Sequence, residues 1–418
     1  MAEEKNEMNI IVRSILILFI FLNGSCDNKN NMLPLNVIQV ANTVGNDIIL
    51  NLSDYVTEIK YIPLETNDAV LVGANFRICY ENGHILVSEP LNNCNLFDDT
   101  GKFCRKIGQR GQGPSDYFYL IQAFLYEDLI FLNDNQKILT YDKNGYLIEK
   151  NNLWSNDIQG KYREGDVYLF PLKKDTFVMN VISLDGDYPK AILFEMHQSG
   201  AKKIKEYPNF ITLDKVRRQI LGGERGIIYL FENDVRTYKP INDTIFTIRQ
   251  NMEMQAAFIF DFGNYGRPIS LFEGKMEGDI RTLLDNYIFL YAIYESINYL
   301  FFEFNFGNRA PESFTQNTSR GTQVTNSYVY GVFDKRTGEL TFMRQPIKEK
   351  LGFKNDIDNG PVIWPEYISS NDELVSTIQP EDFMEYYNKT QNPSAALKEI
   401  ADKLEIDDNP IVIIAKLK

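Results

Sequence analysis

From residue 47 onward, the hydrophobic residues of this chain occur in short runs separated by polar positions. Runs of this kind lie at 85–87, 129–132, 167–170, 227–231 and 328–333. Their length and their content of Val, Ile, Leu, Phe and Tyr predict β-strands. The hydrophobic pattern therefore indicates a chain that is built almost wholly from strands.

A turn signature recurs between these strands: an aromatic residue, an acidic residue, a polar stretch and then glycine. It occurs at 97–101, 141–145, 194–200 and 333–338. Such a sequence suits a tight hairpin between two antiparallel strands. The first three copies start 44 and 53 residues apart, which is a spacing typical of four-stranded propeller blades.

The acidic residues of the signature have two interpretations, as ligands of a hard cation or as caps of their own turns. These residues are Asp98, Asp142, Glu195 and Asp334. Because each occupies an equivalent hairpin in a different blade, we expect local capping. The sequence therefore nominates no metal site.

The interval between the third and fourth copies is long. It predicts an intervening blade together with an insertion at about 264–326. A short helix is expected within 276–291. Residues 287–306 are so rich in Tyr and Phe that protein or ligand must cover them, and we expect them to be core.

The C-terminal region predicts a short helix followed by a closing strand. Asn392 and Pro393 are the expected cap and first residue of this helix, which ends near Glu405. The apolar run 411–414 suits a buried strand. In a ring, a terminal strand must join a sheet begun at the other end of the chain, and 59–64 is the expected partner.

The first 26 residues resemble a lipoprotein signal peptide. Arg13 precedes the apolar run 14–22, and small residues precede Cys26, which is the expected lipidation site. Residues 27–46 are expected to form a polar tether. The acidic start of the chain is atypical of a signal peptide, so translation can begin at Met8 instead of the first methionine.

Composition excludes several classes of function. A net charge of −14 and a pI near 4.8 oppose contact with phosphate backbones, so nucleic acid is not an expected partner. With only two histidines, His84 and His197, most histidine-based metal sites and catalytic triads cannot be assembled. Cys79, Cys94 and Cys104 are expected to be buried free thiols, and a disulfide between Cys94 and Cys104 is the alternative.

Five short segments resemble the six-bladed β-propeller lipoproteins of Gram-negative bacteria, a family of NHL-like propellers. They are 61–66 (YIPLET), 107–117 (IGQRGQGPSDY), 242–246 (NDTIF), 260–263 (FDFG) and 408–410 (DNP). The resemblance implies an all-β, six-bladed β-propeller of four-stranded antiparallel blades over 47–418, with a short C-terminal helix before the closing strand. It also implies a lipid-anchored location in the cell envelope, at the outer membrane. This family is tied to no single reaction, so no catalytic residue is transferred.

The glycines of 107–117 have two interpretations, an anion-binding loop and a connection between blades. No Gly-Lys-Ser/Thr follows them and Pro114 removes a backbone donor, so we expect a connection. Arg110 and Tyr117 remain candidate ligand contacts in this loop. Further candidates are cationic or large aromatic residues near blade ends, with simple packing as the alternative interpretation: Arg77, Trp154, Arg225 and Trp364.

Two functions are compatible with this fold. The first is an envelope-anchored binding module without a cofactor, which recognises an unidentified glycan, peptide or envelope protein at the propeller mouth and meets the membrane only through its lipid anchor. The alternative is a metal-dependent hydrolase or lyase of the lactonase type that holds Ca²⁺ or a similar ion with carboxylate and amide oxygens. A rigid ring with variable loops favours the binding module.

Overall fold

The structure is a computed structural model. It describes residues 36–155, 162–163, 167–183, 190–197, 200–208, 226–317, 323–348 and 350–418. Over these residues the strands form six blades of four antiparallel strands, and the expected six-bladed β-propeller is confirmed.

The elements follow one another blade by blade. The chain begins with β1 (Asn36–Gln39), helix α1 (Val40–Thr43), β2 (Asp47–Ile48), a 3-10 turn (Leu52–Asp54) and β3 (Val56–Pro63). Blade 1 contains β4 (Arg77–Glu81), β5 (His84–Ser88), β6 (Cys94–Asp98) and β7 (Phe103–Lys106). Blade 2 contains β8 (Gln122–Tyr126), β9 (Leu129–Asn133), β10 (Lys137–Asp142) and β11 (Leu147–Asn152). Blade 3 contains β12 (Tyr162–Arg163), which adds to the edge of the blade, and β13 (Leu169–Lys173), β14 (Thr176–Ser183), β15 (Lys190–Glu195) and β16 (Lys202–Glu206).

The second half of the ring carries the helices. Blade 4 contains β17 (Ile227–Phe231), β18 (Asp234–Lys239), β19 (Thr244–Ile248) and β20 (Met254–Asp261). A 3-10 turn (Gly263–Tyr265), α2 (Ile269–Phe272) and α3 (Ile280–Leu284) then lead to β21 (Phe289–Glu295) and β22 (Tyr299–Asn305) of blade 5. After a 3-10 turn (Gly307–Arg309) and the hairpin β23 (Phe314–Asn317) and β24 (Gln323–Asn326), blade 5 ends with β25 (Tyr328–Asp334) and β26 (Glu339–Met343). Blade 6 contains β27 (Tyr367–Ile368), β28 (Glu373–Ile378), β29 (Ile411–Leu417) and the N-terminal strand β3. Two helices, α4 (Pro380–Lys389) and α5 (Ala395–Ala401), lie between β28 and β29 in the chain.

The first strand of each blade lies next to the central axis. Neighbouring first strands contact one another: β4 with β8, β13 with β17, β17 with β21, β21 with β27, and β27 with β4. Gln122 bridges the remaining step from β8 to β13, because its side chain bonds both the N–H and the C=O of Leu169. The inner ring is therefore continuous.

One end of the central channel carries the crossings between blades. Because neighbouring strands are antiparallel, the first strands begin and the second strands end at this end, which we call the connector face. Its fully described crossings are 64–76, 107–121 and 262–288. The loop 89–93 between the second and third strands of blade 1 belongs to the same face.

A hydrophobic cluster of described residues fills each of the six spaces between neighbouring blades. Side chains alternate along a strand, so successive residues serve opposite spaces. On β22, Phe301 packs toward blade 6 and Phe302 packs toward blade 4. Most of the aromatic stretch 287–306 is buried in this way, as expected.

The signature hairpins join the third and fourth strands of their blades and pack against the preceding blade. The N–H of Glu65, beyond the outer strand of blade 6, donates to the Gly101 carbonyl at 2.8 Å. A Cβ at Gly101, whose φ is 84°, would lie 2.3 Å from the carbonyl oxygen of Pro63. Both the backbone conformation and this close approach therefore require glycine.

The C-terminal strand closes the ring. β29 runs antiparallel to β3, with Ile411 opposite Pro63 and Ile414 opposite Lys60. This register confirms 59–64 as the partner of the closing strand. Blade 6 consequently takes one strand from the N-terminal region and three from the C-terminal region.

The segment before β3 is packed on the ring. β1 pairs in parallel with β20 of blade 4, and β2 pairs in parallel with β26 of blade 5. Ile38 and Val40 are fully buried between these two blades. The expected polar tether over 27–46 is therefore wrong for 36–46, because apolar side chains and strand pairing anchor that part. The remainder of the tether, 27–35, lies outside the described residues.

The expected insertion at about 264–326 contains two strands of a blade. β21 and β22 are the first two strands of blade 5, so the extra segments of this blade lie on either side of them. The nearly continuous aromatic run hides the alternation of these strands, which explains the wrong boundary. The short helix expected within 276–291 is α3.

A C-terminal helix precedes the closing strand, as expected, but its cap differs. Ser394 caps α5 by accepting a hydrogen bond from the N–H of Leu397 at 3.3 Å. Asn392 has a φ of 57° and lies outside the helix. The expected start at Asn392 and Pro393 is therefore wrong by two residues. The preceding helix α4 is not among the sequence expectations, although Pro380 at its first position and Glu381 and Asp382 in its first turn are signals of a helix start.

The cysteines differ in exposure. Cys79 and Cys94 are buried free thiols, as expected, whereas Cys104 is free and exposed. The alternative disulfide between Cys94 and Cys104 is therefore wrong. Among the described residues, no helix is long and apolar enough to cross a bilayer.

Candidate functional site

Most candidate ligand residues from the sequence lie on the connector face. They are Arg77 at the start of β4, Arg110 and Tyr117 in the crossing 107–121, Trp154 after β11, and Trp364 before β27. Two further sites, Arg225 and the lipidation residue Cys26, lie outside the described residues. The structure brings the first five to one face, but it does not give them one role.

Arg77 supports an accessible aromatic ring at the channel mouth. Its guanidinium donates to the carbonyl of Ile121 and to the Tyr168 hydroxyl, the latter at 2.9 Å. The same guanidinium lies over the Tyr168 ring, 5.5 Å from its centroid. Because 37% of Tyr168 remains exposed, this ring is available to a ligand.

Arg110 supports a second exposed ring. It donates to the carbonyl of Leu91 at 2.8 Å and lies over the ring of Phe118, 5.9 Å from the centroid. Phe118 is 64% exposed and Leu91 is also exposed. We call Leu91, Arg110, Phe118, Arg77 and Tyr168 the mouth patch. It combines large aromatic side chains with arginine, a composition enriched at binding interfaces.

Tyr117 and the surrounding glycines are structural. Tyr117 is buried and donates to the carbonyl of Asn92 at 3.2 Å. The Asp116 carboxylate accepts from the Gly113 N–H at 2.8 Å, and a Cβ at Gly111 would lie 2.2 Å from it. The chain's own carboxylate thus occupies the space where an anion would bind. The loop is a crossing between blades 1 and 2.

Trp154 is also structural. Its ring is buried in the cluster between blades 2 and 3, and its Nε1 donates to the carbonyl of Asn135 at 2.6 Å. This indole therefore has neither a free donor nor an accessible face, and the packing interpretation holds.

Trp364 belongs to a second group of residues, between blades 5 and 6. We call this group the tyrosine cleft: Tyr291, Tyr294, Tyr328, Tyr330, Trp364, Glu303 and Glu366. The Trp364 ring stacks on Tyr330, with centroids 4.4 Å apart, and the rings of Tyr291 and Tyr328 lie 5.1 Å apart. Tyr291 is 57% exposed. The cleft therefore contains one exposed aromatic ring, that of Tyr291, and a buried stack.

Glu303 is a carboxylate without a cationic partner among the described residues. It lies on β22 beside Tyr330 of β25. Burial raises the pKa of Glu303 to about 7, and the charge of Glu366 adds to this rise. The indole of Trp364 and the hydroxyl of Tyr294, which donates to Oε1 at 3.5 Å, offset part of the rise.

Glu366 lies at the accessible side of the same cleft, directly before β27. Its carboxylate accepts from the N–H and the hydroxyl of Thr377, both at 2.8 Å. Desolvation by the surrounding protein nevertheless raises the pKa of Glu366. Neither Glu366 nor Glu303 forms an ion pair with a described residue. The cleft thus holds two carboxylates whose charges the described protein does not balance.

The indole nitrogen of Trp364 is a third polar group in the cleft. Trp364 is 7% exposed, and its Nε1 has no water-accessible surface and no acceptor in strict hydrogen-bond geometry among the described residues. Nε1 is oriented toward Glu303, because the indole helps to lower the pKa of that carboxyl. The Glu303 carboxylate is therefore the group that offsets the burial of this donor.

Glu295, eight residues before Glu303, shows how this protein balances a buried carboxylate elsewhere. Lys335 Nζ and Arg236 Nε lie 2.7 and 3.1 Å from its oxygens. Tyr229 donates to it at 2.8 Å. Burial alone would raise the pKa of Glu295, but the two cations outweigh burial and lower it.

The acidic residues of the signature hairpins do not converge on one point. Asp98 accepts from the N–H of Thr100, Asp142 from that of Tyr146, and Asp334 from that of Arg336. Glu195 lies 3.2 Å from His197. Within the described residues, no group of three or more His, Cys, Asp or Glu is placed to hold a metal ion.

Sequence reasoning missed Glu303 and Glu366. A signal for Glu303 exists, because it is a lone charged residue in the aromatic strand Tyr299–Asn305. Glu366 has no such signal, since it lies in an irregular crossing. Their proximity depends on the packing of blade 5 against blade 6.

Comparisons with known proteins agree with the fold. A family model described as Domain of unknown function (DUF4934) matches residues 35–416. A crystal structure of a Bacteroides fragilis protein, provisionally described as exported, has a TM-score of 0.63 at 19% identity and covers 92% of this chain and 99% of that chain. At this identity the likeness shows the fold alone. No curated protein matches the chain.

More distant structural relatives include two lyases. A streptogramin B lyase has a TM-score of 0.39 at 11% identity, covering 86% of this chain and 98% of that chain. A virginiamycin B lyase from Staphylococcus aureus has a TM-score of 0.35 at 12% identity, covering 70% of this chain and 89% of that chain. Both scores are too low to carry an argument about function.

Proposed function

The chain belongs to the DUF4934 family. We propose that it is an exported, lipid-anchored binding module that recognises a glycan, peptide or protein of the cell envelope at its connector face. The mouth patch is the observation that carries this proposal. Two exposed rings, Phe118 and Tyr168, are each supported by an arginine that is itself bonded to backbone carbonyls. Rigid aromatic side chains lose little conformational entropy when a ligand binds.

Export and anchoring have separate support. The segment 14–22 followed by Cys26 has the order of a lipoprotein signal, and a fold relative is provisionally described as exported. The anchor is tested by metabolic labelling with a fatty acid in a bacterial host. We expect label and membrane association for the wild type, and neither for Cys26→Ser. A labelled Cys26→Ser protein would contradict the anchor and leave the binding proposal intact.

The binding proposal is tested with a glycan array, envelope polysaccharides and envelope peptides. We expect the double variant Phe118→Ala, Tyr168→Ala to bind about 30-fold or more weakly than the wild type, because each aromatic anchor is worth about 1 to 2 kcal/mol. Tyr146→Ala is the matched control, since Tyr146 is 72% exposed but lies on the outer hairpin of blade 2. Equal loss in the control, or no ligand in any class, would refute the proposal.

The lactonase-type alternative makes a different prediction in the same preparation. A bound Ca²⁺ or similar ion would raise the unfolding temperature, and a chelator would lower it. The binding module predicts no change with either. A clear shift with a divalent ion would therefore favour the alternative.

A further inference from the structure

Backbone hydrogen bonds join the parts of the mouth patch into one strip. Arg110 donates to the carbonyls of Leu91 and Phe118 at 2.8 and 3.3 Å, which ties two loops of the connector face together. Arg77 bonds a carbonyl three residues after Phe118 and lies over the second ring of the patch. The exposed side chains of the patch are therefore neighbours on a single surface.

This strip exposes a contiguous apolar surface. Phe118 is 64% exposed, Leu91 54%, and Tyr168 and the neighbouring Tyr119 37% each. Single exposed apolar residues are ordinary, but a contiguous group of them marks an interaction site. Leu91 offers methyl groups and no flat face, so it suits contact with apolar side chains.

The two arginines of the strip have no carboxylate partner among the described residues. Each guanidinium carries five N–H groups, and the described bonds of Arg110 and Arg77 use two each. The carboxylates of the same two loops, Asp116 and Glu89, accept from backbone and amide N–H groups instead. On a chain with a net charge of −14, this strip therefore presents positive charge that the described protein does not balance.

A polypeptide segment with acidic residues matches both properties of the strip. Its Asp or Glu carboxylates are the acceptors that a guanidinium binds best, and its apolar side chains cover the exposed rings. A neutral glycan would bring hydroxyl donors, for which the two arginines offer no acceptor, and it carries no apolar side chains. The charge and the apolar surface together favour a peptide.

We propose that the mouth patch binds a polypeptide segment in which Asp or Glu lies beside apolar side chains. A carboxylate of this segment pairs with the guanidinium of Arg110 or Arg77. Its apolar side chains cover Leu91, Phe118 and Tyr168. This inference rests on the proposed function and narrows its ligand to an acidic, apolar peptide segment of an envelope protein.

The first experiment measures the ligand side with the wild-type chain. An array of short random peptides is screened, and we expect the bound peptides to be enriched in Asp and Glu together with Leu, Phe and Tyr. Fluorescence anisotropy then gives the Kd of the tightest peptide and of its analogue with Asn for Asp and Gln for Glu. We expect the amide analogue to bind about tenfold or more weakly, the loss typical of a charge-assisted hydrogen bond.

The second experiment removes the charge from the protein side. Arg110→Gln keeps an N–H donor for the Leu91 carbonyl but has no charge, so we expect about tenfold weaker binding of the acidic peptide and no change for its amide analogue. Arg105→Gln is the matched control, because Arg105 also donates to a backbone carbonyl, that of Asn144 at 2.6 Å, but lies on the outer strand of blade 1. Thermal unfolding shows whether each variant is folded, and the amide analogue tests the wild type independently of both.

The outcomes distinguish this inference from the proposed function. If the amide analogue binds as tightly as the acidic peptide, or if Arg105→Gln loses as much affinity as Arg110→Gln, the inference is wrong. If a glycan, polygalacturonate included, binds through Phe118 and Tyr168 while no peptide does, the inference is wrong and the proposed function stands. If no peptide or glycan binds, or if the double variant Phe118→Ala, Tyr168→Ala binds as the wild type does, both are refuted.

Discussion

The substitution Glu295→Gln tests whether the charge balance around buried carboxylates is as the structure indicates. Glu295 is buried at the end of β21, where Arg236 and Lys335 lie 3.1 and 2.7 Å from its oxygens. Glutamine keeps the shape of the side chain but removes its charge. Two buried cations would then remain without their counter-charge, although Lys335 would keep the carbonyl of Ser296 and its contact with the Phe231 ring.

The expected cost is about 3 to 5 kcal/mol in the free energy of unfolding, the usual penalty for breaking a buried ion pair by removing one partner. The entropy of unfolding is about 2.1 cal/mol/K per residue, so over roughly 380 residues each kcal/mol lowers the unfolding temperature by about 1.25 °C. We therefore expect the unfolding temperature of Glu295→Gln to fall by about 4 to 6 °C at neutral pH.

Glu303→Gln is the matched control, because it changes a buried glutamate on the neighbouring strand of the same blade. The pKa of Glu303 rises from an ordinary value of 4.5 to about 7. A carboxyl whose pKa is raised by folding contributes stability below its unfolded pKa, and this contribution is lost as the pH rises through the folded pKa. We expect this variant to be more stable than the wild type above pH 7, by up to about 3 kcal/mol, and equal to it below pH 4.

The contributions of Glu295 and Glu303 to the free energy of unfolding therefore change with pH in opposite directions. The pKa of Glu295 is lowered by folding, so its contribution is present above its unfolded pKa and is lost as the pH falls through the folded value. Chemical denaturation at pH 4, 6 and 8 measures both differences. Equal destabilisation by the two substitutions, or an unchanged Glu295→Gln protein at pH 8, would show that our account of these charges is wrong.

Two further predictions concern the closure of the ring and the thiols. Asn409→Ala should lower the free energy of unfolding, measured by chemical denaturation, by about 2 to 4 kcal/mol, because the buried Asn409 side chain bonds two carbonyls and one N–H of the segment that follows β3. The control Asn144→Ala, on an exposed hairpin, should lower it by less than about 0.5 kcal/mol. Similar effects of the two substitutions would contradict this role of Asn409. Iodoacetamide should label the exposed Cys104 in the native protein, and it should label Cys79 and Cys94 only after denaturation. Peptide mass spectrometry identifies the labelled cysteines. Labelling of either buried thiol in the native protein would show that blades 1 and 2 pack less tightly than described.

The architecture explains why binding residues collect at one face. The inner ring of first strands is continuous, and each space between blades holds its own cluster of buried side chains. The crossings on the connector face contribute buried residues such as Tyr117 and Trp154 to this frame, while residues such as Phe118 remain exposed. Arg77 and Arg110 can therefore present aromatic rings to solvent without exposing the core.

The sequence by itself determined the features that depend on local pattern. The hairpin at 97–101 is encoded by an aromatic strand end, a capping aspartate and a glycine whose positive φ is needed within the same turn. The closing strand 411–414 is recognisable as a short apolar run with a polar boundary, and 59–64 is expected to pair with it because the ring must close. Backbone conformation and side-chain alternation act over a few residues, so a linear pattern is sufficient to predict them.

The tertiary structure alone decided which charged residues are balanced. Glu295 and Glu303 are both glutamates in aromatic strands of one blade, and nothing local distinguishes them. Glu295 meets Arg236 and Lys335, which are 59 and 40 residues away in the chain. Glu303 meets Trp364 and the charge of Glu366 instead. Electrostatic interactions depend on distance in space and on burial, and both arise only when the blades pack against one another.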